Sequence, residues 1–280
     1  MPPNLQALCA GAFTPRTRDR YLIAMSAIFW TLIFFCWLLY PPENNHSIWS
    51  HTFSFFGSWD ERHSPRWWWL FSVAMVFWGV AMLPVIAYHW RRLSPVSRWA
   101  AHVGAGLFTL GAVGTILVGI FPDARGEVFA NWQWNADLAT DVAQRNAWRW
   151  TDLHEKAAIL CFAGYGLGFF WYTGWWLANR LRGAARLPGA MLAPLLLWLA
   201  AFGAAACNQV SWALLYERLK TEANASGTPI GTSWAESLNT MYAFPLWENI
   251  IVYALFIALV WFTRALPSAP PTYRAAAPSR

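Results

Sequence analysis

"YLIAMSAIFWTLIFFCWLLY" (residues 21–40) contains no charged side chain, and the polar-aromatic stretch "NNHSIWSHTFSFFGSWDERH" (residues 44–63) follows it almost at once. A helix rises 1.5 Å per residue, so an apolar run of this length covers about 30 Å, the hydrocarbon thickness of a bilayer. The first stretch reads as a membrane span. The second sets His46, His51 and His63 among aromatic rings and a glycine, directly outside that span. Such a mixture is either an interfacial loop with its rings at headgroup depth or part of a site. The rest of the chain has to decide between them.

Outward from this pair, five further apolar runs are long enough to cross: Trp67–Trp90, Trp99–Phe121, Leu153–Ala178, Leu187–Tyr216 and Ala243–Phe262. The whole chain is 57% apolar and only 12% charged, against roughly 25% charged in an ordinary soluble domain. The predicted fold class is an all-α integral membrane protein, a single bundle of six transmembrane helices with long outer loops. Residues 21–264 form the one membrane domain, residues 1–20 a cytoplasmic tail and residues 265–280 a second one. The second tail, "ALPSAPPTYRAAAPSR", is Pro- and Ala-rich and predicted to be disordered.

Charge gives the orientation. Arg16, Arg18 and Arg20 precede the first span, Arg91, Arg92 and Arg98 flank the turn after the second, and Arg180, Arg182 and Arg186 follow the fourth. Arg264, Arg274 and Arg280 close the chain. With six spans all four triplets share one side, and the positive-inside bias makes that side cytoplasmic, N-in and C-in. Loops 41–66, 122–152 and 217–242 then face outward. Asp19 is the only acid on the inner side. Because acids steer topology weakly, their outward bias points to chemistry in the outer half. The net charge of +6 is spread over span ends, not gathered in a patch, so no nucleic-acid partner is expected. No cysteine lies in an outer loop, so no disulfide framework is expected. No cleavable leader is evident, since the first residues lack an apolar core and a small-residue cleavage site. A bacterial inner membrane, with the long loops periplasmic, fits these features.

A charge inside a span costs at least about 2.5–3.5 kcal/mol on insertion scales and needs a reason. Glu248, in "PLWENIIVYAL" (245–255), lies just inside the sixth run. His154 and Glu155 open the fourth, Asp123 follows the third in "GIFPD" (119–123), and Asn208 and Gln209 sit inside the fifth. Each also has an ordinary explanation. Asn208 and Gln209 suit interhelical hydrogen bonding, Glu155 and Lys156 suit headgroup-level snorkelling, and His154 suits an interfacial position. Glu248 is hardest to explain without a partner. His89 and His102 fall in the cytoplasmic half and read as structural. Most of the 22 Trp read as an aromatic belt, although Trp132, Trp134, Trp148, Trp150 and Trp234 lie in outer loops.

Four stretches resemble one family: "SIWSHTFSFFGSW" (47–59), "GTILVGIFPD" (114–123), "LHEKAAILCFAG" (153–164) and "PLWENIIVYAL" (245–255). They are similar to the six-helix family of the damage-regulated autophagy modulators, the Golgi protein that remodels GPI-anchor lipids and the Sfk-type proteins, with bacterial relatives of unknown function. The resemblance covers roughly residues 20–265 and departs at the long loop between the third and fourth spans. It implies a common outer-leaflet site of His51, Ser54, Gly57, Asp123, His154 and Glu248, with lipid as the shared theme.

Three readings follow. In the first, the chain binds, presents or moves a membrane lipid, using polar contacts at His51, His154 and Glu248, with Asn208, Gln209 and Gly57 shaping the pocket. In the second it is an intramembrane hydrolase or acyl-transfer enzyme on a lipid ester or amide. His51, Asp123, His154 and Glu248 would then hold Zn²⁺. Without metal, His51 or His154 would be the base and Ser50 or Ser54 the nucleophile. The His-x-x-x-His that closes the zinc site of alkaline ceramidases and adiponectin-type receptors is missing here. In the third it is an accessory subunit, partnered by other membrane proteins or by a second copy of itself.

Overall fold

Thr14 starts the first long helix. Its hydroxyl accepts a hydrogen bond from the Thr17 backbone N–H at 3.2 Å, and Pro15 occupies the first helical position, where a missing N–H costs nothing. The structure, a computed structural model, describes residues 3–42, 46–58, 63–64, 66–121, 123, 153–183 and 187–267. The loop tryptophans Trp132, Trp134, Trp148 and Trp150, and the predicted disordered tail beyond residue 267, lie outside the described residues.

The described residues form α1 (Pro3–Cys9), α2 (Pro15–Leu38), α3 (Trp68–Leu93), α4 (Arg98–Ile120), α5 (Leu153–Leu181), α6 (Leu192–Ser226), α7 (Ser233–Ser237) and α8 (Phe244–Ala265). Short 3₁₀ turns lie at Phe53–Gly57 and Gly189–Met191. Six of these, α2 to α6 and α8, are long and apolar enough to cross a membrane. The protein is an all-α, six-span membrane protein.

Two boundaries differ most from the sequence reading. The first span opens at Pro15 instead of Tyr21, which draws Arg18 into the helix and buries it. That charge is tolerated because its guanidinium donates to Asp19 Oδ1 at 2.9 Å, the Arg264 carbonyl at 3.2 Å and the Tyr88 hydroxyl at 3.4 Å. These bonds tie α2, α3 and α8 at one end of the bundle. The fifth span continues past Tyr216 to Ser226, where Gly227 adopts a left-handed conformation (φ 67°) and stops it.

Glycine sets the closest packing. A Cβ on Gly114 of α4 would collide with the Cys161 backbone of α5, and one on Gly164 of α5 with the Gly111 backbone of α4. Apolar attraction between helices is weak in lipid, so small residues that let backbones approach supply the association. Accordingly α4 packs closely on both α3 and α5, whereas α5 meets α6 only lightly; α6 rests chiefly on α8. Deep in the bundle His89 ties α3 to α8. The Thr263 hydroxyl donates to the Leu259 carbonyl at 2.6 Å and accepts from His89 Nε2 at 2.8 Å.

Candidate functional site

The loop after α2 folds back onto the helices instead of lying free. Phe53 and Phe56 are buried, and Gly57 presses on the Phe71 ring of α3, where any side chain would collide. Asn249 of α8 clasps the loop from the other side. Its Nδ2 donates to the His51 carbonyl at 3.1 Å and to its own helix at Pro245 at 2.8 Å. The Asn239 N–H donates to the Trp49 carbonyl at 3.2 Å. Past the 3₁₀ turn, Ser58 pairs with Asp123 through a single parallel bridge.

These contacts make the loop one end of a cavity of about 640 Å³ between the helices. All six long helices contribute to its wall, for instance Phe29, Trp78, Val118, Phe162, Phe202 and Phe256. At the loop end Thr52, Ser54, His154, Glu155 and Glu248 face it; no Lys or Arg among the described residues does. One end is polar, and most of the remaining wall is aromatic and aliphatic.

Hydrogen bonds orient the polar end. The Thr52 hydroxyl donates to Ser54 Oγ at 2.9 Å, and Ser54 in turn donates to Asp123 Oδ2 at 3.1 Å. His154 Nδ1–H donates to the Phe121 carbonyl at 2.6 Å, so in the neutral ring Nε2 carries the lone pair. The loop, the end of α4 and the start of α5 are thereby locked together.

The expected site residues separate into two groups. Ser54, His154 and Glu248 line the cavity; His51, Asp123, Gly57, Asn208 and Gln209 do not. Asp123 is buried behind Ser54. Asn208 and Gln209 serve the fold instead, their side-chain amides donating to the Met241 and Tyr242 carbonyls at 3.0 and 3.4 Å. The His51 ring turns away from the cavity. Its Nδ1 accepts from the Ser50 hydroxyl at 2.8 Å and the Ser47 N–H at 3.4 Å, with Tyr40 and His63 edge-on to the ring.

Among the described residues no three His, Cys, Asp or Glu side chains come together as a metal-holding set. Of the four expected to hold zinc, His154 and Glu248 line the cavity, Asp123 accepts from Ser54 behind it, and His51 belongs to a separate aromatic cluster. A serine mechanism is likewise divided. Ser50 has its histidine, at His51, but neither lines the cavity; Ser54 lines it but bonds to Asp123 and Thr52. Sequence reasoning passed over Asn249. The only signal it carried was its position beside Glu248 on a helix, where one residue can face the cavity and the next can reach the loop.

Residues 23–221 match the family described as "Protein of unknown function (DUF998)", and the chain belongs to that family. No curated protein and no solved structure matches it.

Proposed function

We propose that this DUF998 protein holds a membrane lipid between its six helices, with the polar head at Ser54, His154 and Glu248 and the chain along the aromatic wall. The observation that carries this reading is the polarity of the cavity: hydroxyls, an imidazole and carboxylates at one end, hydrocarbon-like surface elsewhere. A wholly polar solute would lose its hydration along that wall, and a wholly apolar one would leave the polar end without partners. An amphiphile satisfies both ends. The reading places the arginine triplets in the cytoplasm of a bacterial cell and the cavity's polar end in the outer leaflet of the inner membrane. Kinship with the lipid-remodelling family, as implied by the resemblance of the four stretches, points to the same ligand class. Binding, presenting or moving the lipid requires no bond to be made or broken.

Mass spectrometry of lipid retained by the purified protein tests this. Wild type should hold a defined lipid in fixed stoichiometry, and Val252→Trp, which puts an indole into the cavity, should retain less of it. Glu248→Gln keeps a hydrogen-bonding group and should retain most of the lipid. Glu248→Leu removes a charge-assisted bond worth about 1.5–3 kcal/mol, or roughly 10- to 100-fold in affinity. Identical lipid recovery from wild type and Val252→Trp would end the proposal.

A further inference from the structure

One flank of the cavity is loosely walled. Phe170 of α5 and Phe202 of α6 meet edge to face with ring centroids 5.5 Å apart. Both line the cavity, and they are 42% and 40% exposed. Ile159 and Leu167 of α5 also line it, at 62% and 55% exposure. The flank falls where α5 and α6 pack lightly, while the glycine-packed α4–α5 contact on the other side of α5 is closed.

We infer that the seam between α5 and α6 is a lateral port, gated by Phe170 and Phe202, through which a membrane amphiphile passes from the bilayer into the cavity. The inference rests on the cavity being a lipid site and adds the route. The gate is suited to opening. Two aromatic rings in edge contact part by side-chain rotation, whereas the Gly114 and Gly164 contacts of α4 and α5 involve backbone and cannot part without moving a helix.

The full-length protein in phosphatidylcholine vesicles tests the route. It would be exposed to a photoreactive lysophosphatidylcholine carrying a diazirine-bearing chain, and the labelled residues mapped by mass spectrometry. The probe should label Val252 and Phe256 inside and outward residues such as Val210. Exterior labelling with no interior labelling would overturn the lipid site itself. For the route, Phe202→Trp should slow interior labelling at least tenfold and Phe170→Ala should speed it, with exterior labelling unchanged as the check on folding. Equal interior rates in wild type and both variants would overturn the port.

Discussion

His46 lies flat against the Phe56 ring, centroids 4.0 Å apart, with Tyr40 edge-on to it and His51 beside it. Burial in this cluster pushes its pKa down to about 4; the nearby His51 lowers it further and the Thr52 carbonyl opposes the shift. Burial lowers His51 as well. The folded loop therefore holds neutral rings that the unfolded chain would protonate below its ordinary pKa of about 6.5. Between about pH 6.5 and 4 the unfolded state binds more protons, so stability falls as pH falls; above that window the rings are neutral in both states and contribute no slope. For His46 the loss is at most about 3 kcal/mol. Melting temperature in detergent should drop across this window in wild type and drop less in His46→Gln. An equal drop in both would assign the slope to other groups. Single residues were unevenly legible in the sequence. Glu248 and His154 stood out because charge and imidazole are costly near lipid, whereas Asn249 did not, because an amide's role depends on which carbonyl comes within its reach.

At the scale of helices, α5 contains its own control. Gly164 abuts the α4 backbone, while Gly174, ten residues further along the same helix, has open space where a side chain would go. Gly164→Ala must push α4 and α5 apart and should cost about 1–3 kcal/mol, as overpacking generally does. Gly174→Ala meets nothing and should be neutral or stabilise by up to about 1 kcal/mol through helix propensity. Thermal unfolding of the two variants checks this, and equal effects would remove close α4–α5 packing as a source of stability. Span existence was readable from hydropathy, but the ends were less so. The start of α2 is decided by Thr14 and Pro15, a local cap lying outside the apolar run, and the end of α6 by Gly227.

For the whole molecule, our proposal puts both termini on one side of the membrane, and the arginine triplets make that side cytoplasmic. In a cysteine-free background, a thiol introduced as Asn224→Cys, near the outer end of α6, should react with a membrane-impermeant maleimide on intact cells. One introduced as Arg182→Cys, just after α5, should react only after lysis. The reverse pattern would invert the molecule and move the cavity's polar end to the inner leaflet.

The sequence by itself determined the class of the molecule, the number of spans and the end of the bundle where polar groups gather. Those properties are sums over neighbouring residues, and transfer into lipid depends on composition more than on contacts. It also singled out Ser54, His154 and Glu248. Only the tertiary structure decided that these three share a cavity, that Asn208 and Gln209 are spent on the segment before α8, and that the His51 ring turns away while its carbonyl is held by Asn249. A residue's facing depends on how each helix is rotated about its axis, and that rotation is set by contacts distant in sequence, such as Gly114 against Cys161 and Asn249 against His51. The loosely packed flank at Phe170 and Phe202 has the same origin. Nothing in either side chain's neighbourhood in sequence distinguishes it from the other aromatic positions of the spans until α5 and α6 lie side by side.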